Sequence, residues 1–255
     1  MTTNRWSVDL KFYLRGQGLW EMIDGSQTMP FARENTAEYK KWDANAGGAC
    51  GLENDVAKPP YSGLITAGNQ ALFQRGKGCG ICYEVKCTQN PECSGQPIRV
   101  TLTDECPGTC NNDPVHFDLS EYAYRKLAKP GRGDLLVKAG RININYQRVP
   151  CNYPRTSIVF KVDKGSNSFF FATAVEYENG DGDIGFMEIQ PAGSSRWFPM
   201  QQMFGATYKY NIPSGTKGPY SIRITTGSSR RTLVAQNVIP FNWRPGQYYK
   251  SSVNF

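Results

Sequence analysis

The spacing of apolar residues along this chain changes character near residue 47. Over residues 4–45, Trp6, Leu10 and Leu14 recur at i, i+4 and i+8, and Tyr13 and Trp20 widen the stripe, which predicts amphipathic helix. Gly25 and Pro30 interrupt that pattern before a second, more polar helical stretch around Glu34 to Trp42. Beyond Gly47 the texture turns to short runs punctuated by Gly, Pro and Asn. Strands are expected at 80–87, 98–103, 141–148, 157–162, 169–176, 184–190, 207–211, 220–225 and 233–238. The runs 157–162 and 221–225 alternate apolar with polar, as half-buried antiparallel strands do. Asn179-Gly180 is a hairpin-turn signal. Residues 119–127 form the one strong helical pattern after residue 47, with Ser120 as its N-cap. Short, regularly spaced strands after residue 155 predict a sandwich, and a boundary is placed near Pro154.

The chain's 255 residues allow two modest domains, and 26 Gly with 16 Pro fit a turn-rich β protein. No apolar run approaches the roughly 20 residues of a membrane helix, so no membrane partner is expected. The excess of 29 basic over 22 acidic residues, a net +7, would attract polyanions, but it is scattered. All eight cysteines fall between Cys50 and Cys151. An even number in one segment favours a disulfide framework and an oxidising compartment. Zinc is the rival, yet Cys79-x-x-Cys82 is the lone knuckle and no histidine is spaced to complete a site, so no metal and no cofactor are expected. The start of the chain points elsewhere. Met1 to Asp9 is polar and Lys11, Arg15 and Gln17 break the next stretch, so no secretory leader is read there.

The sole histidine stands in His116-Phe117-Asp118-Leu119-Ser120, shortly after the acidic Thr103-Asp104-Glu105. Imidazole and carboxylates within a crosslinked segment are acid–base equipment suited to a polar polymer. A lone histidine beside Phe and Leu also fits a hydrogen-bonded structural role.

From Gly47 to the C-terminus the sequence resembles the expansins, most of all the β-expansin branch that includes grass group-1 pollen allergens. The resemblance rests on Gly47-Gly48-Ala49-Cys50-Gly51, Pro59-Pro60-Tyr61-Ser62-Gly63 and the run from Gly76 through Gly80-Ile81-Cys82-Tyr83 to Val85. It continues in Thr103-Asp104-Glu105-Cys106-Pro107, the histidine pentapeptide, Asp181-Gly182-Asp183-Ile184 and Val238-Ile239-Pro240-Phe241-Asn242-Trp243-Arg244. It implies a mainly β fold: a double-psi β-barrel over 46–153, similar to family 45 endoglucanases, then an immunoglobulin-like β-sandwich over 157–252 that binds cellulose. Segment 1–45 would be an extra helical element outside the family. The implied disulfides are Cys50–Cys79, Cys82–Cys151 and Cys87–Cys93, leaving Cys106–Cys110 as a local fourth.

By the same resemblance Asp118 corresponds to a hydrolase general acid, with Asp104 and His116 beside it in a groove. Hydrolysis needs two carboxylates. Expansins lack the loop carrying the base, so no residue is assigned a catalytic role, and the implied activity is release of non-covalent contacts between wall polymers. Expected partners are cellulose and matrix polysaccharides, xylan or mixed-linkage glucan, bound in the cell wall by a monomer. An aromatic sugar platform maps onto Phe170, Trp197 and Trp243, though each could instead be core.

The front departs from the family. Where expansins carry Thr-Trp-Tyr-Gly, this chain has Glu34-Asn35-Thr36-Ala37-Glu38-Tyr39-Lys40, with Asp43 or Asn45 near an expected Asp. Residues 6–42, notably Leu14-Arg15-Gly16-Gln17-Gly18-Leu19-Trp20-Glu21-Met22, resemble the N-terminal region of copia-type retrotransposon Gag proteins. A chimera is therefore expected, either a retroelement fragment or a faulty gene model joined to an expansin that has lost its leader and first barrel strand, with an unpaired sheet edge left behind. Rival readings are an endoglucanase with Asp43 as base, and an inactive remnant that retains only cellulose binding. Nucleic acid is not an expected partner, since the segment has no zinc knuckle and no dense basic run.

Overall fold

The computed structural model describes residues 8–10 and 48–255. The remainder of the helical stretch read over 4–45, including Asp43 and Asn45, lies outside the described residues. Two compact units divide the chain. The first holds Glu53–Leu72 and Glu84–Gln147; the second holds Ala49–Leu52, Phe73–Tyr83 and Arg148–Phe255. The division is thus not a single cut at Pro154, because two short pieces ahead of it belong with the C-terminal unit.

The first unit is built on a mixed sheet of β1 (Val8–Leu10), β2 (Ile65–Gly68), β3 (Cys82–Lys86), β4 (Ile98–Glu105), β5 (Phe117–Leu119) and β6 (Ile142–Val149). Their spatial order is β1-β6-β3-β4-β2-β5. Val100, Leu102, Phe117, Leu119 and Ile144 are buried in its core. Residues 8–10 correct the reading of this segment as helix: they pair antiparallel with β6, Val8 opposite Ile144 and Leu10 opposite Ile142. Val8 and Leu10 fit a two-residue period as well as Leu10 fits a four-residue one, and a strand edge rewards the former with ladder hydrogen bonds. The β6 edge expected to be bare is therefore occupied.

The helix read at 119–127 forms as Glu121–Lys126, capped by Ser120, whose Oγ accepts from the Ala123 amide at 3.0 Å. A second helix, Gly133–Ala139, was not legible in the pattern; it buries Leu136, and Asp134 at its start pairs with Arg125 of the first.

The second unit packs two sheets face to face. One contains β9 (Ile184–Pro191), β10 (Phe198–Pro199), β13 (Tyr220–Thr226) and β14 (Thr232–Ile239), in the order β10-β9-β13-β14. The other contains β7 (Val159–Val162), β8 (Phe170–Glu176), β11 (Gln201–Phe204), β12 (Thr207–Asn211) and β15 (Tyr248–Lys250), in the order β11-β12-β8-β7-β15. Ile158, Phe160, Phe171, Met187, Ile189, Ile222 and Ile224 fill the space between them with no solvent exposure. Each such side chain contributes about 1.5–3 kcal/mol.

The Asn179-Gly180 signal does not make a hairpin. It lies between β8 and β9, which belong to opposite sheets, so the turn carries the chain across the sandwich. Gly180 instead exchanges backbone hydrogen bonds with Cys151, N to O at 3.0 and 2.7 Å. Local turn chemistry is the same for both connections, which is why the dipeptide alone misled.

Ala49–Leu52 is fastened to the second unit at several points. The Ala206 amide donates to Cys50 O at 3.1 Å, and buried Lys161 reaches Leu52 O through Nζ at 3.1 Å. Gly205, at φ +47, lies so close that a Cβ would collide with the Ala49 and Cys50 backbone.

Four disulfides join Cys50 to Cys79, Cys82 to Cys151, Cys87 to Cys93 and Cys106 to Cys110, and no described cysteine is free. Their sequence separations run from 69 for Cys82–Cys151 to 4 for Cys106–Cys110. Loop-closure entropy then makes the former worth about 4 kcal/mol and the latter about 2 kcal/mol. Thermal unfolding of the paired serine variants should show Cys82→Ser/Cys151→Ser as clearly the more destabilised; equal losses would contradict the entropic ranking.

Candidate functional site

Strand β2 is the hinge of the site. It runs parallel to β4, with Ala67 opposite Asp104, and antiparallel to β5, with Ala67 opposite Asp118. Directly paired residues project to one face of a sheet. Two strand spacings of about 4.8 Å therefore put the two aspartates about 10 Å apart at the backbone, with a methyl group between them. Asp104, Ala67 and Asp118 are all half-buried, while Thr66, Gly68, Thr103, Phe117 and Leu119 beside them are buried. The strip is therefore a partly open line between buried neighbours on β2, β4 and β5. Asp104 Oδ1 accepts from the Glu105 amide at 2.8 Å, which holds that carboxylate against its own backbone.

His116 is placed differently from its two neighbours. Its side chain is 1% exposed and its Nδ1 lies 2.8 Å from Asp113 Oδ2. Asp113 also pairs with Arg141. The His116 carbonyl accepts from the Asn69 amide at 3.0 Å, and the Asn69 side chain donates to the Asp113 carbonyl at 2.9 Å. The ring is thus a buried post that fixes the start of β5, two residues before Asp118. The Cys106 and Cys110 sulfurs and a ring nitrogen of His116 lie within 4.8 Å of one another, but both sulfurs are bound in their disulfide and offer no thiolate.

Residues 158–240 match the expansin C-terminal domain, and residues 65–146 match a family described as lytic transglycolase. Expansin-B4 of Arabidopsis thaliana is 52% identical over 212 residues, 83% of this chain and 82% of that protein. The chain belongs to the expansin family. Expansin-B11 of Oryza sativa subsp. japonica is 47% identical over 84% of this chain and 73% of its own length. Among solved structures, the apo expansin of Clavibacter michiganensis covers 98% of this chain and 97% of its own at a TM-score of 0.65 and 20% identity. A point mutant of the same bacterial expansin, in complex with cellohexaose, covers 74% of this chain and 81% of its own at 0.56 and 21% identity. The expansin fold is accordingly a double-psi β-barrel and a sandwich.

In the sandwich of this expansin the three aromatics named from sequence meet different neighbours. Phe170 alternates with core-facing Phe171 and is half-buried at the start of β8. Trp197 lies against the Arg223 guanidinium, 4.6 Å from its ring centroid, and Arg223 is held by both carboxylate oxygens of Glu188 on the four-stranded sheet. Trp243 packs on the core, 5.4 Å edge-on from Phe171. Sequence reasoning missed Phe169, 65% exposed beside Phe170, along with Phe204 and Tyr248, both more than 40% exposed. Phe204 and Tyr248 lie at opposite ends of one rung, Phe204–Thr207–Ala174–Lys161–Tyr248, which crosses the five-stranded sheet over about 19 Å. Their strands are too short to show alternation; the signal available was a bulky aromatic in an otherwise polar run.

Burial acts to raise the Asp113 carboxyl, but the hydrogen bonds from His116 and Arg141 outweigh it and hold the group below its ordinary value of 3.8. A lowered native pKa stabilises the fold above the unfolded value, and that stabilisation disappears as pH falls through the native one. Asp113→Asn should cost about 1–3 kcal/mol near neutrality, because it removes a charged partner from a buried ring. The gap from the parent should close in strong acid. Urea unfolding across pH checks this, and a gap that stays constant into acid would exclude the linkage.

Proposed function

We propose that this expansin loosens plant cell walls by binding cellulose and matrix polysaccharides and releasing the contacts between them without hydrolysis. The observation that carries the reading is the half-buried strip Asp104–Ala67–Asp118, a shallow polar track across three strands with a small residue at its centre. Such a track can hydrogen-bond the hydroxyls of an extended glycan and favour one chain conformation over another, which is differential binding and needs no nucleophile. The cellohexaose complex of the bacterial relative supports a glucan as one ligand. Exposed Phe169, Phe204 and Tyr248, with Phe170, offer ring faces for pyranose stacking on the five-stranded sheet. Trp197 offers one on the other sheet, and Trp243 serves mainly to anchor the core. Xylan or mixed-linkage glucan is the matrix target in this reading, and the protein acts as an extracellular monomer of the β branch.

The spacing of Asp104 and Asp118 favours a second reading. An inverting glycosidase separates its acid and base by about 6.5–9.5 Å, and two aspartates paired across one intervening strand come close to that. The hydrogen bond that ties Asp104 to its own backbone argues against its activating a water. Soluble β-glucan incubated with the protein should release no sustained reducing sugar. Asp118→Asn should lower extension of isolated walls at least severalfold while leaving retention on cellulose intact. Steady sugar release abolished by Asp118→Asn would establish the hydrolase instead, and retention on cellulose with no extension by the parent would mark an inactive remnant.

The segment 6–42 we read as a retroelement-like piece joined to the expansin, either in the gene itself or by a faulty gene model. Full-length transcripts spanning residues 45–48 would establish a joined gene, and separate transcripts for the two sides would establish a faulty gene model.

A further inference from the structure

One end of the sandwich carries a cleft that the polymer track and the exposed aromatics leave unused. It measures about 280 Å³ and opens between the β9–β10 connection and the β12–β13 connection. That is close to the lower bound for ligand pockets, about 300 Å³, and suits one sugar ring better than a polymer.

Phe198 and Tyr210 contribute the aromatic part of the lining, with ring centroids 5.8 Å apart and both rings packed partly on the sandwich core. Ser194, Thr216 and Lys217 supply polar groups at the rim. The rim is ordered before any ligand arrives. The Ser194 amide donates to Pro191 O at 3.2 Å, the Ala192 amide to Pro219 O at 2.9 Å and the Thr216 amide to Pro213 O at 3.0 Å. Ser194 Oγ also accepts from the Arg196 amide at 3.0 Å, and the Arg196 guanidinium lies over the Phe198 ring, 5.6 Å from its centroid. Neither Arg196 nor Lys217 has a carboxylate partner among the described residues. Lys217 in the lining and Arg196 over Phe198 are complementary to a ring that carries a negative charge.

We propose that this cleft is a subsite for a single uronic acid unit, a carboxylated pyranose on an acidic matrix polysaccharide. The apolar face of the sugar stacks on Phe198 and Tyr210, and its carboxylate meets Arg196 and Lys217. Thr216 is placed for its hydroxyls, while Ser194 Oγ, which donates to the Arg196 carbonyl at 3.3 Å as well as accepting from the Arg196 amide, steadies Arg196. The proposal rests on the reading that this expansin binds matrix polysaccharides, and it adds the charge selectivity of one site. Because the rim is held by its own backbone bonds, little ordering cost opposes binding.

Calorimetric titration of the full chain with a xylo-oligosaccharide bearing one glucuronic acid, against the same oligosaccharide with its carboxyl reduced to an alcohol, tests it. The parent should prefer the acidic form by about tenfold, with the preference shrinking as salt is added. Arg196→Gln/Lys217→Gln changes two surface side chains and should erase the preference while retention on cellulose stays unchanged. Equal affinity of the parent for the two sugars, or an undiminished preference in the double variant, would overturn the subsite while cellulose retention left the wider reading standing. Loss of all binding, to cellulose and to both sugars, would instead overturn the polysaccharide-binding reading together with the subsite.

Discussion

Strand β2 has a parallel neighbour on one side and an antiparallel one on the other, and the candidate track exists because of that arrangement. A parallel pair requires a long crossover between its members, here the chain from Gly68 to Ile98. An antiparallel partner can be short, and β5 has three residues. The combination brings Asp104 and Asp118, distant from β2 in sequence, to either side of Ala67. A one-residue slip of either partner would turn its aspartate to the buried face. The packing resists such a slip. Thr66 and Gly68 are buried on either side of Ala67, and a Cβ at Gly68 would lie 2.7 Å from both Leu102 and Leu72 side-chain atoms. The Asn69–His116–Asp113–Arg141 network pins the entry to β5 from its other end. His116 is best understood as part of that fixture: its buried ring helps set where Asp118 stands.

Each unit holds two of the four disulfides: Cys50–Cys79 and Cys82–Cys151 in the second, Cys87–Cys93 and Cys106–Cys110 in the first. The second unit closes over a continuous apolar core, and its two bridges tie its separate chain pieces together: Cys50–Cys79 joins Ala49–Leu52 to Phe73–Tyr83, and Cys82–Cys151 joins the latter to Arg148–Phe255. In the first unit both bridges close short loops, with separations of 6 and 4, so each confines the unfolded chain less than Cys82–Cys151 does. Cys87–Cys93 and Cys106–Cys110 both clamp loops of this unit, and the latter closes directly beside the buried histidine.

What could be read from the sequence follows from how each element is buried. Val159–Val162 and Tyr220–Thr226 were visible because one face meets the core and the other is largely polar, which writes a two-residue period into the chain. Strands β2 and β5 were not, because four or three residues with little exposed surface carry no period at all. Without them Asp104 and Asp118 could be associated only by family resemblance. Disulfide connectivity was equally closed to spacing, since eight cysteines allow about 105 pairings. Trp243 illustrates a different limit: an aromatic near a chain end can stack on a ligand or on Phe171, and only the tertiary structure shows that it meets Phe171. Val8–Leu10 show a third, where two periodicities fit the same three residues and a sheet edge elsewhere in the chain decides between them.

The loop linking β8 to β9 shows how one set of ties can burden another group. Asp183 accepts from the Gly227 and Ser228 amides at 3.0 and 3.3 Å and from Ser228 Oγ at 2.8 Å, and it pairs with Arg148 at 3.1 Å. Asp181 accepts from the Ser229 amide at 2.7 Å. These bonds hold the crossover in place and keep two negative charges near Glu178. Burial is the main reason the Glu178 carboxyl is pushed up to about 8; Asp181 and Asp183 add to it, and the Gly182 amide and Arg148 only partly oppose it. The native state therefore keeps a proton on Glu178 over the interval between its ordinary value of 4.5 and about 8, where the unfolded chain has lost it. Stability contributed by this group is complete below that interval and declines as pH rises through it. The ordering is opposite to that at Asp113, where stability is lost toward acid. Between them lies a mildly acidic window in which Asp113 is ionised, Glu178 is neutral and both local structures are at their firmest.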